Sequence, residues 1–532
     1  MAAIEQASQP PDLGRKAYPR GTARRVAKAA QKAVRHHWLF ALVLSAGLAL
    51  RVLAQMAYRP ALLYIDSAKY LVGSGGTAPE GYQAMLRLLD PVGGLALVAA
   101  VQHAFGLAMA VALYALLIRR GAPRWAATPA AAPVLLDAYQ LQLEQTVMPD
   151  VLFETMIAAG LVLLLWPRRA ASRDAWLIAA GALVLGAAAT VREIGITLLV
   201  PVMIFAFLTG PGWRRRTART ALAAACFALP VLGYMSGAYY VRGDFGLGSN
   251  GPGPEYGRAA AAADCATLAV PASERALCPS PAQVRALGGI DGLLHNPRSP
   301  GHTVPVPPGL TRGQLLDRFS LAVFGQQPLR AAASAARDSV RLFALTRDGD
   351  PQITSIARWQ FQTFYPTYPH RYTMAFFTRL SREHGSGGDL VAAEPAAALL
   401  RGYQLGGGYT PGPLYAAGLA AGLLGALSGL VRRRTVTAGT ETAAAADTGL
   451  ATACLLVTLA AVVLLLSSDA FEFSWRYQLP AVVMLPLAGA LGVTAVAARV
   501  RRAIAAQNAT GGTGRRTRPA SAASDPRAPA AR

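Results

Sequence analysis

Charge is what this sequence has least of. Of its 532 residues only 15% are Asp, Glu, Lys or Arg, while 53% are hydrophobic. A soluble domain carries about 25% charged residues, so an ordinary soluble chain is a poor description of this one. Acidic residues are scarcer still, 28 against 51 Lys and Arg, which leaves a formal net charge of +23. That sign invites nucleic acid, but the basic residues are placed wrongly for it. They lie in an N-terminal tail (Arg15, Lys16, Arg20, Arg24, Arg25, Lys28, Lys32, Arg35), a C-terminal tail (Arg499, Arg501, Arg502, Arg515, Arg516, Arg518) and short clusters that follow apolar stretches. No RNA- or DNA-binding motif accompanies them, so nucleic acid is not an expected partner. Basic clusters alternating with apolar runs are the pattern of a positive-inside membrane protein.

Cysteine is also rare, with four in the chain. Cys226 and Cys454 fall inside apolar runs, where packing is the simplest role. Cys265 and Cys278 fall in a long polar stretch and are a candidate disulfide, though spacing alone does not prove the pairing. A convincing cleaved signal peptide is missing. The basic lead-in is too long, and the first apolar run opens a series of such runs, as a signal anchor does. Arg24-Arg25 is not followed by the soluble domain that a twin-arginine signal would export.

The apolar runs are the positive content. A spanning helix needs about 20 mostly apolar residues. Such runs occur at about Trp38–Met56, Val92–Ile118, Trp125–Leu143, Val151–Trp166, Ala175–Val191, Ile194–Leu208, Thr220–Tyr240, Pro413–Val431, Leu450–Leu466 and Leu479–Ala498. They predict an all-α polytopic membrane protein of about 10 transmembrane helices. Arg119-Arg120, Arg168-Arg169-Arg173, Arg214-Arg215-Arg216-Arg219 and Arg432-Arg433-Arg434 follow every second run. That alternation puts both termini in the cytoplasm and the remaining connections outside.

The domain division follows: 1–37 a basic cytoplasmic tail, 38–240 a seven-span membrane module, 241–412 a mixed extracytoplasmic loop domain, 413–500 three C-terminal spans, and 501–532 a disordered basic cytoplasmic tail. The third run, with Pro129, Pro133 and Asp137, is expected to be kinked or partly re-entrant. Leu329–Leu345 alternates Ala with Arg and Asp and reads as an amphipathic helix at the membrane surface. The tail from Asn508 lacks large apolar residues, and its sequon Asn508-Ala509-Thr510 falls on the cytoplasmic side.

Carboxylates are nearly absent from the apolar runs and gather in the outer connections: Asp66, Glu80 and Asp90 in the first; Glu144, Asp150 and Glu154 around the second; Arg192 and Glu193 at the third; Asp469, Glu472 and Arg476 in the last. Ionisable groups at one membrane depth point to a site at the outer interface. A carboxylate there can take a proton from an acceptor hydroxyl. Arginines can hold a phosphate leaving group by paired, charged hydrogen bonds. Further carboxylates can bind a divalent metal ion.

Leu62-Leu63-Tyr64-Ile65-Asp66-Ser67-Ala68-Lys69-Tyr70 resembles the first outer loop of GT-C fold glycosyltransferases that use polyprenyl-phosphate sugars, a group that includes protein O-mannosyltransferases and lipid A aminoarabinose transferases. Asp66 and Tyr70 match, while Ser67 stands where Glu is common. Val101-Gln102-His103, Leu136-Asp137-Ala138-Tyr139 leading to Glu144, Thr190-Val191-Arg192 and Arg476-Tyr477-Gln478-Leu479-Pro480 are also similar to that family. The resemblance covers about half of the chain and implies a GT-C-like fold. It implies an inverting glycosyltransferase that takes a sugar from a polyprenyl-phosphate-linked donor to an envelope glycan, lipid or protein acceptor. Asp66 would be the catalytic base, and Tyr70, Glu144, Asp150, Arg192, Arg476 and Tyr477 would bind substrate.

Each of these residues also has an ordinary reading. Asp66 is a good helix N-cap, and Asp150 and Glu154 share a helix face near the interface. Arg192 and Arg476 can pair with Glu193 and Glu472, Arg51 can snorkel to the headgroups, and His103 can be a satisfied packing residue. Trp359, Phe361, Phe364, Tyr365, Tyr368, His370 and Tyr372 suit sugar stacking, a loop-domain core or an interfacial belt. Gly406-Gly407-Gly408 is a linker with no phosphate-loop pattern. Two other classes stay open, a transporter or lipid flippase and a non-catalytic envelope assembly protein. Against the first, no internal repeat is visible and the expected midplane is nearly empty of charge. Richness in Ala, Arg and Gly suggests a GC-rich bacterial genome.

Overall fold

The computed structural model describes residues 35–167, 171–210, 212–248, 255–347, 349–368, 372–385, 388–432 and 441–511. Both expected tails (all but 35–37 and 501–511), the arginines at 168–169 and 433–434, and His370 lie outside these residues. A helix stands at every expected apolar run: Trp38–Ala57, Gly81–Arg119, Arg124–Leu136, Asp150–Leu165, Ala171–Ala189, Leu199–Thr209, Trp213–Arg242, Gly412–Arg432, Glu441–Asp469 and Pro480–Gly511. Helices are what such runs must form in lipid, because only a helix satisfies every backbone N–H and C=O within the segment. Among the described residues six helices are long and apolar enough to cross a membrane, and Ala175–Ala189 and Glu193–Thr209 are shorter apolar helices. By length and composition this is a membrane protein.

Two of the runs depart from simple spans. The second is longer than expected: its helix starts at Gly81 and bends at Gly93 and Gly94, where Gly94 has φ of 60°. That conformation is cheap for glycine and strained for other residues, so the bend sits where no Cβ obstructs it. The third run is not one helix. Arg124–Leu136 ends at Asp137, whose backbone is extended, and a separate helix Ala138–Gln145 begins there. The Asp137 carboxylate accepts a hydrogen bond from the Tyr139 amide at 3.0 Å, caps the new helix, and pairs with Arg347 at 3.0 Å. The break lets Ala138–Gln145 lie wholly buried, with Glu144 and Gln145 facing the bundle.

Between Arg242 and Gly412 the chain forms a helical insertion at one end of the bundle, called the loop end below. Among the described residues strand structure there is minimal: Tyr58–Arg59 pairs antiparallel with Val391–Ala392, in the register Tyr58 with Ala392. A second small core forms from Tyr256, Leu277, Leu293, Leu315, Phe319 and Val323, separate from the main core. Cys265 and Cys278 are joined by a disulfide beside it. The Leu329–Leu345 segment is helical, as Pro328–Ser339 followed by a 3-10 turn, Val340–Phe343. Its far end is anchored: Ser339 donates to Asp469 at 2.6 Å, and the fully buried Arg258 bridges Asp338 at 2.7 Å and the Asp469 carbonyl at 2.5 Å.

Candidate functional site

At the loop end, segments far apart in the chain converge. Asp66 precedes the short helix Ser67–Val72. It stands at the N-cap position, yet its side chain makes no capping hydrogen bond. The carboxylate points away, to Arg476 Nη1 at 2.9 Å and to Lys69 Nζ at 3.6 Å. Lys69 lies one helical turn on, at i+3, which puts it on the same face. The neighbour that would be acidic in the resembled family, Ser67, is buried and structural: its hydroxyl donates to the Val147 carbonyl and accepts from the Tyr64 amide, both at 2.8 Å.

Arg476 is the centre of the cluster. Its Nε donates to both Asp150 oxygens, at 3.0 and 3.1 Å, while its Nη1 holds Asp66. Arg192 donates to the same Asp150 carboxylate. The Tyr477 ring lies between the two guanidinium groups, 5.0 Å from that of Arg192 and 5.5 Å from that of Arg476. Trp359 covers Arg476 from the insertion at 5.4 Å, and Phe153 lies 5.9 Å from Arg192. Tyr64 packs on Trp359, and Tyr70 packs edge-on against Tyr82 beside the cluster. The pairing of Arg192 with Glu193 and of Arg476 with Glu472, open in the sequence, gives way to shared pairing with Asp150. The reason is position: Asp150 starts a helix between them and reaches both guanidiniums.

The cluster grades from dry to wet. The Asp150 and Arg476 side chains are 4% and 5% exposed, Arg192 18%, and Asp66 and Lys69 30% and 35%. Burial by itself would raise the Asp66 carboxyl, but Lys69 and then Arg476 outweigh it and hold Asp66 below its ordinary value. Burial disfavours the Arg476 cation too, and Asp150, Tyr477 and Asp66 more than compensate, so the guanidinium stays charged. Burial also raises Tyr70 and Tyr477, which keeps both phenols neutral. A cation bridging Asp66 and Asp150 would have to displace Arg476, which already bridges them, with Arg192 and Lys69 supplying further positive charge.

The other expected site residue, Glu144, is elsewhere. It is fully buried among helices, 2.7 Å from Arg51 Nη2 and 2.9 Å from His103 Nδ1. Arg51 does not snorkel: it is 2% exposed and also donates to the carbonyls of Gly47, Val134 and Leu135. Breaking the third run at Asp137 exposes those last carbonyls to it. His103 is satisfied on both nitrogens, with Gln145 at 2.7 Å, and Gln102 donates to the carbonyls of Glu144 and Thr146. Gly106 makes room, since a Cβ there would lie 2.0 Å from Glu144 Oε1. The bundle interior therefore holds more ionisable side chains than expected, including the buried Glu154. Glu80 pairs with Arg242 at 3.0 Å, Asp90 with His384 at 2.7 Å, and Asp469 with Ser339 and Gln478. Sequence reasoning missed Lys69 at the site, which only the i+3 spacing from Asp66 signals, and left Trp359 undivided among the insertion's aromatics.

The aromatic run of the insertion is partly wall and partly core: Trp359, Phe361 and Tyr365 are buried, and the Tyr365 hydroxyl donates to the Ala61 carbonyl at 2.9 Å. A group able to hold a metal ion lies beside the site, made of Asp291, His295 and Glu472.

No protein-family model matches the chain, and no curated protein matches it. Among solved structures, the chain is similar to the oligosaccharyltransferase of Archaeoglobus fulgidus in its apo form, with a TM-score of 0.41 and 14% sequence identity, covering 89% of this chain and 52% of that one. The chain thus spans about half the length of that protein. A likeness this slight carries no argument about function.

Proposed function

We propose that this chain is a GT-C-like membrane glycosyltransferase of bacterial type, crossing the membrane about ten times with both termini in the cytoplasm and the insertion outside. It moves a sugar from a polyprenyl-phosphate donor to an envelope acceptor at the loop end. The observation that supports this is the junction of Asp66, Asp150, Arg192 and Arg476, two carboxylates and two guanidiniums from four separate segments, dry on one side and open at Asp66 on the other. In the reaction an acceptor hydroxyl gives its proton to Asp66 and its oxygen attacks the anomeric carbon. The bond from that carbon to the phosphate oxygen breaks, and the lipid phosphate leaves with the electron pair and with inversion at carbon. Arg192 and Arg476 stabilise the charge that develops on the phosphate. A donor phosphate also competes with Asp66 for Arg476. Drawing the guanidinium away removes one of the cations that depress the Asp66 carboxyl, so donor binding makes Asp66 a better base.

The test is transfer from a polyprenyl-phosphate sugar in membranes, comparing the parent with Asp66→Asn. The expected result is a loss of about 10²-fold or more with unchanged folded protein, the range for a positioned general base. Full activity in the variant would sink the role of Asp66.

The buried Arg51, Glu144 and His103 favour a second reading, a transporter or flippase, because ionisable groups inside a bundle mark transport paths. Glu144 and His103 are hydrogen-bonded through every polar side-chain atom, and Arg51 through both terminal nitrogens, which speaks for a structural role. Scrambling of a labelled polyprenyl phosphate by proteoliposomes of the purified chain, abolished by His103→Ala, would establish this second reading.

A further inference from the structure

The insertion and the 470–479 loop meet at a second cluster that the proposed chemistry does not use. Asp291 and His295 stand in the helix Gly289–His295, four residues apart and so on one face, with His295 Nε2 4.0 Å from Asp291 Oδ1. Glu472 reaches them from the 470–479 loop. One ligand atom from each of the three lies within 4.8 Å of the others.

Each carboxylate is already oriented. Arg358 donates to both Asp291 oxygens, at 3.3 and 3.2 Å, longer than the usual 2.7–2.9 Å of charged pairs and so leaving room for another partner. Thr354 donates to Glu472 Oε1. Glu472 is only 8% exposed, and among the described residues no hydrogen bond reaches its Oε2. With Oε1 held by Thr354, Oε2 is the oxygen of this nearly buried carboxylate left for a cation. Thr354 and Arg358 come from one short segment and stand where outer-shell partners of metal-bound carboxylates stand. His295 is the open side, with a side chain 55% exposed. Ligand atoms around a metal at 2.0–2.2 Å sit about 3.4 Å apart, so the site closes by on the order of 1 Å, within reach of an exposed imidazole.

We infer that Asp291, His295 and Glu472 form a binding site for a divalent transition metal that clamps the insertion to the loop carrying Arg476. Two carboxylates and one imidazole suit Mn²⁺ or Zn²⁺, and three protein ligands leave positions for water. The inference does not depend on the transferase reading, because it is tested by binding and not by activity.

The experiment takes the full chain, purified in detergent and stripped with chelator, and titrates it with Mn²⁺ while the six-line signal of free Mn²⁺ is followed by electron paramagnetic resonance. The inference expects one saturable Mn²⁺ per chain, competed by Zn²⁺, and a rise in thermal midpoint on loading. His295→Ala, an exposed change that leaves the fold intact, and Glu472→Gln should each abolish that binding. Thr354→Val should weaken it about 10- to 100-fold, as loss of an outer-shell partner does. Asp66→Asn, in the other cluster, should bind as the parent does. Absence of saturable binding, parental binding in both His295→Ala and Glu472→Gln, or loss of binding in Asp66→Asn would each overturn the inference.

Discussion

Two ion networks in this protein use the same residue types and are built for different ends. Around Glu144, Arg51 and His103 every group is sealed among helices, with side chains 0, 2 and 6% exposed. Around Arg476 the network runs from a dry base at Asp150 to a wet rim at Asp66 and Lys69, which are 30 and 35% exposed. Both bury charge, and both satisfy it with arginine. The sealed network spends its hydrogen bonds on backbone carbonyls of neighbouring helices, which holds the bundle's register. The graded one spends them on carboxylates that face an opening, which leaves a rim where a ligand can exchange with Asp66.

Removing one charge from each network separates them most sharply. Asp66→Asn should lower transfer by about 10²- to 10⁴-fold and leave the thermal midpoint near the parent's, measured in the same membranes. Glu144→Ala should do the reverse in kind. It strands Arg51 without its partner and should cost about 3–5 kcal/mol of stability, read as loss of folded protein in detergent. Replacing Arg51 and Glu144 together with Met should restore much of that loss, since a buried pair is often matched by apolar packing. A double variant as unstable as Glu144→Ala would show that the network does more than neutralise itself. Gly106→Ala presses on the same place by adding a Cβ against Glu144 Oε1, and overpacking of that kind costs about 1–3 kcal/mol.

A smaller and more specific effect concerns pH. Lys69 and Arg476 hold Asp66 below its ordinary value against the opposing pull of burial. A base must be ionised, so the acid limb of kcat/KM should lie below the usual carboxylate range near 4. The stability that these cations lend is present above the unfolded value and is lost as pH falls through the lowered one. Lys69→Met removes the stronger of the two charge–charge attractions on Asp66 and should move the limb upward. An unmoved limb would mean that another group titrates.

Much of the architecture was legible before any coordinates. Long runs of Ala, Leu and Val located every bundle helix, because lipid leaves the backbone no other way to satisfy itself. The third run was the exception, and its Pro129, Pro133 and Asp137 announced the trouble. That Asp137 would end one helix, cap the next and take Arg347 from 210 residues away is a tertiary fact. The site divides similarly. Asp66, Tyr70, Asp150, Arg192, Arg476 and Tyr477 stood out by membrane side and order, and they gather at the loop end. Glu144 stood out on the same grounds and belongs to the other network, since one turn of helix decides which way a carboxylate faces.

The sequence by itself determined the membrane character, the helix positions and the residue types available at the loop end. These depend on local composition and on the rule that backbone polar groups need partners. Only the tertiary structure decided which carboxylate met which arginine. The pairs span 93 residues for Arg51 and Glu144, 326 for Asp150 and Arg476, and 410 for Asp66 and Arg476. Over such distances a charge chooses its partner by packing, and packing is a property of the whole bundle.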